Sequence, residues 1–190
     1  MSPDIILASS SLTRKMLMDR LQIPYRIFAP EIDETPYPDE SGAETTLRLA
    51  ESKARAVAAC FPQAVVLGAD QLVWSGGKNW GKPGNRAEAI AQLRSFSGQS
   101  LELLTAVSLI RNDEIQSRLI RVHVRIRRIN GRQIERYVDR DQPFDCAGSI
   151  RIESLGITLC ECIESSDPTA ILGLPLISVT DLLHQAGVSL

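Results

Sequence analysis

Apolar and polar positions follow three rhythms along this chain, and each rhythm predicts a different kind of element. Ile5 to Ala8 is a short apolar run that predicts a buried strand, and residues 64–70, AVVLGAD, form a longer run that stops at an acid. A buried strand of this sort delivers the side chain at its C-terminal edge, here Asp70, to a place where chemistry is done. Helical spacing governs Leu12 to Leu21, with Leu12, Met16, Leu17 and Leu21 on one side. It recurs from Ala43 to Cys60 on Leu47, Ala50, Ala54, Val57 and Ala58, with Lys53 in the middle and Pro62 closing the helix. Arg86 to Phe96 repeats it on Ala87, Ile90 and Leu93.

Strict alternation marks RLIRVHVRIRR, where Val122, Val124 and Ile126 interleave with Arg121, His123, Arg125 and Arg127. That is a half-exposed antiparallel strand, and its arginine stripe and His123 belong to the wet face. LELLTAVSLI is its strand partner across the turn RNDE. Shorter strands are expected in YRIFAPEID, CAGSIRIE and LGITLCECIE, a hairpin-like glycine-rich loop in QLVWSGGKNWGKPGN, and a helix in GRQIERYVDR. A last helix begins near Pro175, with Gly187 just past its end. Strands and helices mixed in this order imply an α/β domain with a mixed sheet.

Composition narrows the partners. The 190 residues suit one domain spanning 1–190, with 44% hydrophobic and 23% charged residues. A net charge of −2 argues against a coat for nucleic acid, so the expected partner is a small molecule. MSPDIILASS does not read as a signal peptide and no run approaches a membrane span, which gives a cytoplasmic protein as the expectation. Cys60, Cys146, Cys160 and Cys162 form no CxxC pair and only two histidines are present, so structural zinc is not expected. Alternation through TLCEC puts Cys160 and Cys162 on one face as buried thiols.

Chemistry-bearing residues are few. ILASSSLTRK runs from a strand through three serines into Arg14 and Lys15, gathering hydroxyls, backbone N–H groups and positive charge where an anion would bind; Ser11 also suits a helix cap. GGKNWGKP resembles a P-loop until Pro83 stands where Ser or Thr would hold magnesium. Lys82 keeps its interest as a point charge between Gly81 and Pro83. Asp33, Glu34, Asp70 and Glu153 lack histidine or cysteine partners and suit Mg²⁺ or Mn²⁺, which prefer oxygen. The serines have no histidine partner and G-x-S-x-G is absent, which leaves a hydrolase that positions a metal, a water and a phosphate chain, with Asp70 as the group able to take the water's proton.

LASSSLTRKML, EIDET, LAESKARAVA, VVLGADQLV, GKP before a helix, SGQ, YVDRDQPFDCAGS and DPTAILGLPL occur in an order that resembles the Maf family of nucleotide pyrophosphatases over nearly the whole chain. The resemblance implies an elongated mixed-sheet α/β fold related to the inosine triphosphate pyrophosphatases, with a cleft between two lobes, and usually a homodimer. It implies metal-dependent hydrolysis of a nucleoside triphosphate to monophosphate and pyrophosphate. By position, Ser9, Arg14, Lys15, Lys53 and Lys82 would hold phosphates, Glu34 and Asp70 a divalent metal, and Asp70 would accept the proton. Gln71 and Glu153 are similar to the branch that hydrolyses 7-methyl-GTP; a carboxylate suits the N1–H and amine edge of guanine. Leu12, Thr13 and Lys15 depart from the family pattern, Thr13 by lacking the tryptophan common in this branch, so that either another aromatic such as Trp74 or Trp80 supplies the stacking or the base preference differs from the branch's. The alternatives are a UTP, dTTP or CTP pyrophosphatase, another modified nucleotide, or a low-turnover nucleotide-binding regulator of cell division.

Overall fold

The computed structural model describes residues 3–190. The chain forms two compact units, one from Met1–Gln71, Thr105–Ile120 and Asp167–Leu190, the other from Leu72–Leu104 and Arg121–Ser166. Among the described residues seven strands, β1 (Ile5–Ala8), β2 (Arg26–Ile27), β3 (Val65–Ser75), β4 (Lys78–Trp80), β5 (Ser100–Arg111), β6 (Glu114–Ile126) and β7 (Cys160–Ser165), make a sheet in the order β2-β1-β3-β5-β6-β7, with β4 on β3. β1 runs parallel to β2 and β3, whereas β3–β4 and β6–β7 are antiparallel, so the sheet is mixed as expected. Helices α1 (Leu12–Asp19), α2 (Gly42–Ala58), α3 (Arg86–Phe96), α4 (Gly131–Asp141) and α5 (Leu176–Gln185) complete a mixed α/β fold.

In the first unit β1 and β3 are buried on both faces, which is why their sequences are unbroken apolar runs rather than alternating ones. Ile5, Leu7, Val65 and Leu67 pack with Leu17 and Met18 of α1 and with Val179, Leu182 and Leu183 of α5. Ile6, Ala8 and Val66 pack with Ala54 and Val57 of α2. Asp70 was expected at a strand end, yet β3 continues to Ser75. The end that matters is that of β1, whose last pair with β3 is Ala8 with Gly68, two residues before Asp70.

α2 lies unusually close to β3. A Cβ on Gly68 would come within 2.3 Å of the Ala50 carbonyl oxygen and 2.6 Å of the Ala54 amide nitrogen, so only glycine fits there. The start of α2 is set by a capping box, in which the Ser41 hydroxyl accepts from Glu44 N–H and the Glu44 carboxylate accepts from Ser41 N–H. The preceding loop is tied to α2 by Arg48, which donates to Glu40 at 2.6 and 2.8 Å and to the Thr35 carbonyl at 3.1 Å. Those bonds hold the Glu40 carboxyl down at about 2, well below the usual carboxylate range.

In the second unit β6 presents Val122, Val124 and Ile126 inward and Arg121, His123 and Arg125 to solvent, as alternation predicts. α3 and α4 coincide closely with their predicted spans. Residues 72–80 form the expected hairpin, with Val73 opposite Trp80.

Five local expectations are corrected, one of them the strand expected in LGITLCECIE, where Leu155–Leu159 is a 3-10 helix and the strand begins only at Cys160. α1 stops at Asp19 and buries Leu17 as expected, with Leu21 packed against the same core, but it exposes Leu12 (76%) and Met16 (69%) and buries Met18, because its inward face is turned away from those two positions. The strand expected in YRIFAPEID is confined to Arg26–Ile27. CAGSIRIE is not a strand: Ala147–Ser149 is a 3-10 turn, with left-handed φ at Gly148 and Ser149. Cys160 and Cys162 do not share a buried face. A register shift in the β6–β7 pairing skips Glu161, so Cys160 is buried and Cys162 exposed.

Gly68→Ala is expected to lower unfolding free energy by about 1–3 kcal/mol, because the added methyl meets backbone rather than a flexible side chain. Denaturant unfolding checks this, and an unchanged midpoint would mean that α2 can back away from β3 freely.

Candidate active site

The close approach of α2 to β3 decides where Lys53 goes. Lys53 falls on the inward stripe with Leu49, Ala50, Ala54 and Val57, so its ammonium is carried into the interior. It ends between two carboxylates, 2.6 Å from Asp70 Oδ1 and 2.7 Å from Glu34 Oε1. The Lys53 and Asp70 side chains are only 11% and 8% exposed, while Glu34 is 60% exposed and forms the wet side of the group. A buried cation needs such partners, since an unpaired one costs several kcal/mol, on the order of the protein's whole stability.

Burial pushes the Asp70 carboxyl above the usual carboxylate range; Lys53 beside it and Arg14 further off pull it down, and Glu34 adds to the rise. Burial wins over the ion pair. Arg14, in the first turn of α1, feels the same two carboxylates, although burial lowers its guanidinium from the ordinary value. It donates from Nε to the Gly173 carbonyl at 2.8 Å. Two cations and two carboxylates of the first unit therefore act on one another, with Asp70 at the dry end.

The other expected site residues of this unit stand in sequence around that group. Ser9 is buried and its hydroxyl accepts from Ser11 N–H at 3.1 Å, while Ser11 caps α1 by accepting from Arg14 N–H. The serine run is thus partly helix capping. Thr13 is half-buried in the first turn of α1. Lys15 pairs with Asp19 one turn on, at 2.8 Å, and Asp19 is also held by the Tyr25 hydroxyl at 2.6 Å. Gln71 spends its amide nitrogen on Thr105 Oγ1 at 2.9 Å, on the Ala170 carbonyl at 2.9 Å and on the Ile171 carbonyl at 3.2 Å.

Lys82 and Glu153 belong to the second unit and are exposed there, Lys82 in the loop after β4 and Glu153 in the turn before Leu155–Leu159. Trp80 is half-buried in the same unit, its ring edge-on to Phe96 at 4.8 Å and its Nε1 donating to the Ser75 carbonyl at 3.1 Å. Asp33, one of the four acids considered from sequence, accepts from Thr35 N–H at 2.9 Å and shapes the loop that carries Glu34.

Among the described residues no group of three or more His, Cys, Asp or Glu side chains is assembled as a protein-only metal cage. The donor set still fits a hard divalent cation. Glu34 and Asp70 each place an oxygen within bonding distance of one atom, Lys53 Nζ, and Mg²⁺ is commonly held by one or two carboxylates with substrate phosphates and water completing its shell.

Three contributing residues were not picked out from sequence. Gly68 gave a signal, being the one break in the apolar run of residues 64–69, and its meaning is the helix contact. Asp167 and Thr169 lie in the quoted block DPTAILGLPL without a role assigned, and the structure buries both.

A mixed sheet carries a buried lysine between two carboxylates, with an arginine acting on the same two acids. The family model described as Maf-like protein matches residues 4–186, and the chain belongs to the Maf family. A protein of Thiobacillus denitrificans named 7-methyl-GTP pyrophosphatase is 44% identical over 189 residues, covering 98% of this chain and 94% of its own. One of Burkholderia pseudomallei with the same name is 46% identical over 193 residues, covering 99% and 90%. A third, of Aromatoleum aromaticum, is 42% identical over 188 residues, covering 98% and 97%. A solved structure of the Staphylococcus aureus Ham1 protein is matched with a TM-score of 0.47 and 16% identity over 65% of this chain and 71% of that one, a likeness that adds nothing to the assignment.

Lys53→Met is expected to destabilise the protein by about 3–5 kcal/mol at neutral pH, since it leaves Asp70 buried without its cation. The sign of the pH dependence follows from Asp70, whose folded-state value lies above its ordinary 3.8 and rises further without Lys53. The folded chain then holds its proton more tightly than the unfolded chain, so the deficit is smallest below 3.8 and grows as the pH rises through the folded value. Urea unfolding of both proteins from acid to neutral pH measures it, and a deficit independent of pH would contradict the pairing.

Proposed function

We propose that this protein is a nucleoside triphosphate pyrophosphatase that hydrolyses 7-methyl-GTP to 7-methyl-GMP and diphosphate. The observation that carries the chemistry is the buried Lys53 ammonium shared by Asp70 and Glu34. The base assignment rests on the relatives of this name, which align over nearly the whole chain.

Asp70 suits the role of general base. It is buried, its carboxyl is raised toward the pH at which a base both exists deprotonated and takes a proton readily, and it is held in place by Lys53. A water oxygen attacks the α-phosphorus, the bond from that phosphorus to the bridging oxygen breaks, and diphosphate leaves while Asp70 accepts the water's proton. Arg14 and Lys53 offset the charge that builds on the phosphoryl oxygens, and Ser9, Lys15 and Lys82 are proposed as further phosphate contacts. Glu34 and Asp70 would hold a divalent cation, Mg²⁺ or Mn²⁺, which when bound polarises the phosphoryl oxygen.

Glu153 and Thr13 are the proposed positions of base selection. Gln71, whose amide nitrogen is already engaged, can offer a base only its Oε1. A homodimer in the cytoplasm is the proposed setting; among the described residues no helix is long and apolar enough to cross a membrane.

The test is diphosphate release from 7-methyl-GTP, GTP, UTP, dTTP and CTP by the wild type and by Asp70→Asn, with Mg²⁺, with Mn²⁺ and with chelator. Expected are preference for 7-methyl-GTP, loss of release with chelator, and a fall of about 10²–10⁴ in kcat for a variant that stays folded. Near-normal turnover by Asp70→Asn would remove Asp70 from the mechanism, and preference for a pyrimidine would overturn the base assignment.

A further inference from the structure

The segment from Asp167 to Pro175 is a turn that meets Arg14 and Gln71 through its backbone carbonyls. Ala170–Leu172 is one 3-10 turn, and Gly173 follows in the left-handed region at φ 93°. Three carbonyls of this turn are used by side chains from distant parts of the unit. The Ala170 carbonyl accepts from Gln71 Nε2 and Thr105 Oγ1, both at 2.9 Å, the Ile171 carbonyl from Gln71 at 3.2 Å, and the Gly173 carbonyl from Arg14 Nε at 2.8 Å. A Cβ on Gly173 would lie 3.5 Å from Arg14 Nε and 3.6 Å from Gln71 Oε1, so the turn backbone is in near contact with both.

What fixes the turn is a pair of buried polar side chains at its base. α5 starts at Leu176 after Pro175, which offers no side-chain cap. Asp167, 1% exposed, takes over that role from eight residues back: its Oδ2 accepts from the N–H of Ile177 at 2.8 Å and of Ser178 at 3.2 Å. Its Oδ1 accepts from Thr169 N–H at 3.1 Å and lies 2.8 Å from the Thr169 hydroxyl. Thr169 Oγ1 accepts from Leu176 N–H at 2.7 Å and lies 2.9 Å from the Leu174 carbonyl. One carboxylate and one hydroxyl thus satisfy the first three free amides of α5 and close the turn into a rigid loop.

Ordinary capping would account for stability alone. Here the closed turn also carries the carbonyl that holds Arg14, and Arg14 is the guanidinium acting on Asp70 and Glu34. We infer that Asp167 and Thr169 are positioning residues for the reaction, which clamp the 170–173 turn so that its Gly173 carbonyl orients Arg14. The inference rests on the proposed role of Arg14 as a phosphate contact. A guanidinium anchored through Nε keeps its two terminal nitrogens for a ligand, whereas one released from the turn loses that aim. Misplacement of a binding group by about 1 Å can cost up to about 100-fold in rate.

The experiment compares Thr169→Val, which removes the hydroxyl at nearly constant shape, with Thr169→Ser, which keeps it, and with Arg14→Ala and the double variant Thr169→Val with Arg14→Ala. Diphosphate release from 7-methyl-GTP gives kcat and KM, and ¹⁵N NMR of the Arg14 Nε–H gives its exchange with solvent. Expected are a fall in kcat/KM of up to about 100-fold for Thr169→Val, recovery in Thr169→Ser, and a double variant no slower than Arg14→Ala alone. The Arg14 Nε–H should exchange faster in Thr169→Val and at the wild-type rate in Thr169→Ser. Should valine prevent folding, Asp167→Asn replaces it, since it keeps the shape and one oxygen acceptor. A variant that is less stable but has unchanged kcat, KM and Arg14 exchange, or whose loss multiplies with that of Arg14→Ala, would overturn the inference. Should the wild type release no diphosphate, the functional proposal fails, and the Arg14 exchange alone decides whether the clamp positions that side chain.

Discussion

A lysine ammonium carried into the interior on a packed helix face is the constraint around which the first unit is arranged. Lys53 occupies a position that apolar spacing would give to leucine or alanine, and it is tolerable there only because Asp70 and Glu34 meet it. Each partner is delivered by a separate piece of structure. Gly68 lets α2 descend onto β3 until Lys53 reaches Asp70, and the Glu40–Arg48 pair fastens the loop on which Glu34 rides. A buried ion pair of this kind is weak evidence for stability, because removal of the charges from water offsets much of their attraction. Its retention makes sense where charge is needed in a dry place.

The same economy of parts appears in α1 and α5. Ser11 caps α1, and that cap sets the start of the helix whose first turn carries Arg14. Asp167 and Thr169 cap α5 from a distance, and the turn that they close holds the same Arg14 from the other side. Capping residues in most helices contribute stability and little else; here Ser11 bonds the Arg14 amide directly, and Asp167 and Thr169 cap the helix that follows the turn bonded to the Arg14 side chain.

Much of the framework was legible because burial leaves a rhythm in sequence. Residues 64–70 are apolar without alternation, which is how a strand covered on both faces must read, and β6 alternates because one face is wet. Asp70 stood out as the acid at the end of the apolar run, and the cations near Ser11 pointed to anion binding. What failed to show was tertiary. The inward stripe of α1 depends on which neighbours it meets, so Met18 is buried and Leu12 is not. The β7 register shift that separates Cys160 from Cys162 leaves no mark in TLCEC. Lys53 stood within an apolar helical pattern and the family pattern gave it to the phosphates, but its ion pair with Asp70 was not foreseen, and nothing in DPTAILGLPL told that Asp167 and Thr169 are buried.

In the proposed reaction, water attacks the α-phosphorus of a nucleoside triphosphate. Hydrolysis of 7-methyl-GTP in ¹⁸O-labelled water, with mass analysis of both products, tests it most directly. Expected are one labelled oxygen in 7-methyl-GMP and none in the diphosphate. Label in the diphosphate instead would place the attack at the β-phosphorus and contradict the mechanism built on Asp70.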